Sequence, residues 1–137
     1  MNDREAFLDW FNTRWRAAEV ALHGGDPAPR FQIWSDREPV TLFGAWRSAE
    51  NAVAVREVFV ELAEAFSRAS SSEVELVAAE VSGDLAYTAH REITSTIVDG
   101  EPRRYTLRVT QAYRREGGEW KVVHRHADEE GLAAPRP

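Results

Sequence analysis

No cysteine occurs in the 137 residues, which removes disulfides, thiolate metal sites and cysteine nucleophiles. No apolar run approaches the roughly 18 residues needed to cross a bilayer as a helix. The Met1 segment opens polar and acidic, without the basic start and apolar run of a secretory leader. A soluble, cytoplasmic protein with no membrane partner is therefore expected. Positive charge is also in short supply: 17 Lys and Arg stand against 23 Asp and Glu, for a formal net charge of −6. Such a chain lacks the basic footprint that meets phosphates, so no nucleic-acid partner is expected. The length suits one domain with one core, large enough to fold without covalent staples.

What is present is a change of period. Phe7, Phe11, Trp15, Ala18 and Leu22 form a single helical stripe, with Asn2 and Glu5 in capping-box positions and Gly24-Gly25 as the stop. Asp26-Pro27 predicts a second, short helix carrying Phe31, Ile33 and Trp34. Val40–Phe43 is a short strand candidate, stopped by Gly44. Ser48 is placed to cap a long helix running to about Ser70, with Val55, Phe59, Leu62, Phe66 and Ala69 as its stripe. From Glu73 the pattern becomes strand-like. Strands are predicted over Glu73–Val81, Leu85–Val98, Arg103–Arg114 and Trp120–His126, with a hairpin signal at Asp99-Gly100. Helices followed by meander-connected strands predict an α+β domain with helices on one sheet face. Residues 1–128 form that single domain and 129–137 a frayed tail.

The segment from Tyr113 to Asp128, YRREGGEWKVVHRHAD, resembles the closing hairpin of SnoaL-like domains in the nuclear-transport-factor-like superfamily. That superfamily includes ketosteroid isomerase and limonene epoxide hydrolase, and the hairpin is also similar to one in the association domain of calcium/calmodulin-dependent kinase. Ala21–Asp26 with Trp34-Ser35-Asp36 resembles the family's helix-break-helix opening, and Ser82–Ala86 its central turn. The resemblance implies a cone-shaped fold, with N-terminal helices packed on a curved antiparallel sheet around an interior pocket. It also implies a homodimer joined through the sheet. Two departures are visible. The family's isomerases carry a general-base aspartate at the end of the first short strand, where Thr41-Leu42-Phe43 offers no carboxylate. Their oxyanion-holding tyrosine on the first helix falls near Ala18.

Strand alternation supplies the candidate site. His124 and His126 share one face of the last strand with Val122, while Val123 and Arg125 face the other way. A plain hairpin sets Thr110 opposite His124 and Arg108 opposite His126. His126 is then a candidate acid/base, oriented by Asp128, with Arg108, Thr110 and His124 as ligand contacts. Lining without proton transfer, or burial in a dimer interface, fits the same residues. Glu92, at mid-strand, is a candidate base or a partner for Arg108. Trp46, in the loop after the first strand, is the candidate aromatic contact at the pocket mouth. His124, His126 and Asp128 alternate as metal ligands can, about 6–7 Å between neighbours, yet no further ligand cluster accompanies them. No metal and no cofactor is expected.

Three functions fit. The first is a small-molecule enzyme of isomerase, cyclase or hydrolase type, the second a non-catalytic ligand-binding domain, and the third a homo-oligomerisation module. A small organic molecule in the interior pocket is the expected partner under the first two.

Overall fold

Asn2 caps the first helix as its spacing to Glu5 predicts. Its Oδ1 accepts from the Glu5 backbone N–H at 2.8 Å, and its Nδ2 donates to the Glu5 carboxylate at 3.0 Å. In the computed structural model, which describes residues 1–66 and 71–131, α1 (Asp3–Trp10) passes through a π-helical turn (Phe11–Trp15) into α2 (Arg16–His23). Phe7, Phe11, Trp15, Ala18 and Leu22 are all buried. Two successive steps of four residues overshoot a 3.6-residue turn and would carry the stripe round the helix. The wider π turn takes up the excess. Phe11 and Trp15 consequently stack, with ring centroids 4.3 Å apart. Gly25, at φ +92°, turns the chain out of α2 in a conformation that suits glycine. Asp26 Oδ1 accepts from the Ala28 N–H at 3.0 Å, at the start of α3 (Ala28–Ile33).

Among the described residues the sheet holds six strands: β1 (Thr41–Phe43), β2 (Ser48–Ala49), β3 (Ser71–Ser82), β4 (Leu85–Val98), β5 (Glu101–Glu116) and β6 (Glu119–Glu129). Their order is β2-β1-β6-β5-β4-β3, antiparallel throughout except where β1 runs parallel to β6. With α4 (Ala52–Ala65), the helices pack on a curved sheet, the α+β cone expected from the sequence.

Several boundaries differ from expectation. Ser48 does not cap the long helix but pairs in β2, opposite Phe43. The cap is Asn51, whose Oδ1 accepts from the Ala54 N–H at 2.9 Å. A turn closed by Gly44 N–H donating to the Arg47 carbonyl makes the β1–β2 hairpin, and this displaces the helix start. The helix ends at Ala65, where Phe66 is extended, while Ala69 and Ser70 of the predicted span lie outside the described residues. The sheet continues through Glu129, and Glu130 N–H still donates to the Thr106 carbonyl, so the expected tail start at 129 falls inside the fold. Of that tail, 132–137 lie outside the described residues.

The largest difference is a β-bulge. Tyr113 pairs with Val122 but Ala112 with His124, leaving Val123 as the extra residue. Thr110 is therefore opposite His126, and Arg108 opposite Asp128, rather than one step along. One inserted residue also inverts the alternation beyond it. Val122, Arg125 and Ala127 are buried on the helix side, whereas His126 and Asp128 are exposed.

The main core joins Phe7, Phe11, Trp15 and Ala18 to Ile33, Trp34, Val40, Leu42, Val55, Phe59, Tyr113, Trp120 and Val122. A smaller cluster of Tyr105, Leu107, Val109 and Ala127 lies apart from it on β5 and β6.

Deleting Val123 would remove the extra residue and leave plain alternation in the observed register, with Val122 and Arg125 inward and His124 outward. We expect that deletion to keep cooperative unfolding in urea, and Val123→Thr to shift stability by no more than about 1 kcal/mol.

Candidate functional site

Strand β4 buries a polar face. Thr88, His90, Glu92, Thr94 and Thr96 alternate along it, and all five are buried. Buried polar groups of this kind are usually hydrogen-bonded. Arg125, turned inward by the bulge, pairs with Glu92, and a chain of bonds from it reaches Thr88 and His90, whereas the Thr94 and Thr96 hydroxyls have no partner among the described residues. Arg125 Nη1 and Nη2 donate to the two oxygens of Glu92, both at 2.7 Å, in a bidentate pair.

The surrounding bonds close into a ring whose directions follow from the fact that arginine only donates. Arg125 Nη1 donates to Gln111 Oε1 at 3.0 Å, so the Gln111 amide nitrogen donates to the Tyr113 hydroxyl at 2.6 Å. Tyr113 then donates to Thr88 Oγ1 at 2.7 Å, and Thr88 to His90 Nδ1 at 3.2 Å. His90 returns through Nε2–H to Glu92 at 2.9 Å. This assignment leaves each member of the ring paired. Burial works to raise the Glu92 carboxyl, but the charge and hydrogen bonds of Arg125, with the hydrogen bond of His90, outweigh it. The group is held well below the usual carboxylate range. Burial likewise works to lower the Arg125 guanidinium, and the Glu92 charge raises it instead.

A second buried pair stands on the helices. Arg30 of α3 meets Glu19 of α2 through Nη2 and Oε1, and its guanidinium lies over the Phe59 ring at 4.8 Å. This pair is open. Among the described residues neither Glu19 Oε2 nor Arg30 Nε has a hydrogen-bond partner, although both atoms are buried. His23, one turn after Glu19, donates from Nδ1 to the Glu19 carbonyl at 2.8 Å and stacks on Phe66.

Both ion pairs border one chamber of about 60 Å³. Its remaining wall is chiefly apolar, with Leu22, Leu42, Val58, Leu62, Leu107 and Ala127 among its members. It lies between the two apolar clusters. Trp46, Arg47, Leu62, Phe66 and Tyr105 also border an outer hollow of about 470 Å³, so these side chains form the collar between the two spaces. Trp46 meets Tyr105 edge to face at 5.2 Å. Burial pushes the Tyr105 phenol up to about 12, which keeps it a neutral hydrogen-bond donor at physiological pH.

The residues singled out from the sequence divide between two faces. Trp46 stands at the collar and Glu92 in the chamber wall, but Glu92 pairs with Arg125 and not with Arg108. His124, His126 and Asp128 are on the outer face of the sheet because the bulge inverts β6 beyond Val123, and Thr110 and Arg108 of β5 share that face, opposite His126 and Asp128. Arg108 binds Asp128 there through two bonds of 2.8 and 2.6 Å. His124 Nδ1 bonds the Thr41 hydroxyl at 2.7 Å, and burial with the neighbouring His126 lowers its pKa. Phe43 presents its ring edge-on to both imidazoles. Among the described residues no three His, Asp or Glu side chains gather as metal ligands do.

Sequence reasoning passed over Glu19, His23, Arg30, Tyr105 and Arg125. Glu19 carried a signal: it follows Trp15 by four and precedes Leu22 by three, a carboxylate on the apolar stripe. Arg30 stands in the same relation to Ile33 and Trp34.

A family model described as a SnoaL-like domain matches residues 8–127. Among solved structures, the chain is similar to an NTF2-like family protein from Streptomyces avermitilis, at TM-score 0.77 and 16% identity over 95% of this chain and 99% of that one. An NTF2-like protein from Pseudomonas putida matches at TM-score 0.75 and 20% identity, over 97% and 96% of the two chains. A ketosteroid isomerase-like protein from Erwinia carotovora matches at 0.73 and 17%, over 98% and 100%. No curated protein matches. Among the described residues no helix is long and apolar enough to cross a membrane.

Removing one partner of a buried ion pair strands the other charge, at a cost of about 3–5 kcal/mol. Glu92→Gln should lose that much in urea unfolding, and Glu92→Leu combined with Arg125→Met should lose less. Because the folded Glu92 value lies below the unfolded one, its contribution is present above the ordinary carboxylate range. It is lost as pH falls through the depressed folded value. The acid limb of wild-type stability, measured from neutral pH downward, should be shallower in Glu92→Gln.

Proposed function

The chain belongs to the SnoaL-like domain family, and we propose that it binds a small organic molecule in the chamber between its two apolar clusters. The observation that carries this reading is the chamber itself, an apolar space with buried ion pairs in its wall and a larger hollow outside its collar. Binding sites combine an apolar lining with a few placed polar groups in this way. The chamber's modest size matches a narrow part of a ligand, and the outer hollow matches its body.

The closed ring around Glu92 favours binding over proton abstraction at that carboxylate. A carboxylate held ionised by two guanidinium bonds is a weak base. Turnover of isomerase, cyclase or hydrolase type is a second reading, and His23 favours it. Its Nδ1–H is committed to a carbonyl, which leaves Nε2 as the lone-pair nitrogen of the neutral ring in a residue that lines the chamber. On that reading His23→Gln retains binding and loses turnover.

For the outer sheet face we propose a second copy of this chain. Phe43, Val77, Leu85 and Tyr87 are exposed apolar side chains. Arg91 and Arg108 share that side of the sheet with Glu75 and Asp128, which gives the mixture of signs that a two-fold, self-complementary contact needs.

Two measurements test these readings. Small neutral alicyclic and aromatic compounds should raise the Tm of the wild type, while Leu62→Trp, which fills the chamber, should fold and show no rise. Light scattering should give the mass of two chains, falling to one in Val77→Glu combined with Tyr87→Glu. A wild-type response preserved in Leu62→Trp would move the ligand elsewhere.

A further inference from the structure

Two ion pairs line the chamber, and they differ in what they leave open. Each oxygen of Glu92 is taken by Arg125, and one of them also by His90. That pair is a finished piece of wall. The Glu19–Arg30 pair is unfinished, with Oε2 an unused acceptor and Nε–H an unused donor among the described residues. Glu19 is 2% exposed and Arg30 3%, so bulk water does not serve them, and both residues border the chamber. The Nε–H and one Nη2–H of a guanidinium point along the same edge. Because Arg30 meets Glu19 through Nη2 and Oε1, the unused donor and the unused acceptor belong to the two sides of one contact.

We propose that the occupant of the chamber is a neutral molecule whose leading polar group is a hydroxyl, donating to Glu19 Oε2 and accepting from Arg30 Nε–H. This rests on the reading of the chamber as a binding site and names the class of ligand it takes. A hydroxyl carries one donor and two lone pairs in the smallest polar group available, and it matches both open atoms at once. Charge balance selects against ionised groups. Arg30 is offset by Glu19 and Arg125 by Glu92, so the lining carries no surplus of either sign from these pairs. A ligand carboxylate would enter beside two carboxylates and strand its own charge, and an ammonium would do the same beside two guanidinium groups. At the collar, Arg47 is likewise paired, with Glu61 at 2.5 Å. Size points the same way, since about 60 Å³ accepts only a small tip while the hollow of about 470 Å³ has room for the rest of the molecule.

The experiment is a matched titration of the full chain with hexan-1-ol, hexanoate, hexylammonium and hexane, followed through the tryptophan indole signals by NMR. The expected result is that hexan-1-ol binds tighter than each of the other three by about tenfold or more. In Glu19→Met combined with Arg30→Met, its advantage over hexane should vanish while hexane binding persists. Preference for hexanoate or hexylammonium, or no preference for the alcohol over hexane, overturns the inference and leaves the chamber as a binding site. An alcohol preference that survives in the double variant overturns it as well. If that variant does not fold, Glu19→Gln replaces it: the amide's remaining oxygen is a weaker acceptor, and the alcohol's advantage should shrink. Failure of all four compounds to bind the wild type overturns the chamber reading itself, and the inference with it.

Discussion

The bidentate contact between Arg125 and Glu92 is the constraint around which the interior is arranged. A guanidinium without a counter-charge could not be held at this depth, and neither could the carboxylate. Their mutual need fixes β6 against β4 across the intervening β5, and Gln111 on β5 receives the remaining reach of the arginine. The polar face of β4 is intelligible in these terms. Thr88 and His90 are not stray hydrophilic residues in a core but the return path of the ring that begins and ends at Glu92.

The two buried pairs divide the labour of the interior. One is closed on itself and gives the chamber a rigid side, and the other borders the space and keeps two buried atoms without a partner among the described residues. Membership of the SnoaL-like family accounts for the cone and says little about chemistry, because one fold carries many sites. Here the site departs from the carboxylate-on-first-strand arrangement that the resemblance brings to mind. β1 contributes Leu42 to the wall and no acid.

Local periodicity was enough to read the helices, the four long strands and most of the turns. Phe7 to Leu22 and the alternation of β4 and β5 report which side faces inward within one element. The site was less legible, for one reason that can be named. A hairpin from Tyr113 to Trp120 looks the same with or without an extra residue beyond it, and the bulge at Val123 announces itself by no glycine or proline. The inward and outward assignments on β6 beyond Val123 were therefore reversed, and Arg125 was exchanged for His124 and His126. Glu92 and Trp46 escaped because neither depends on that register. Glu19 was legible in principle, since a carboxylate within a buried helical stripe needs a partner, and Arg30 stands eleven residues later, where the chain has doubled back.

Tyr113 belongs to two neighbourhoods at once. Its ring meets Phe7 at 4.9 Å and Trp10 at 5.8 Å, while its hydroxyl sits between Gln111 and Thr88. A phenol is a stiff lever, so a tilt imposed on the ring is delivered undiminished at the oxygen. Repacking of the aromatic residues on the first helix is in this way passed along Gln111 to the guanidinium in the chamber wall. The shape of that space is thus open to adjustment by substitutions that never touch its contents.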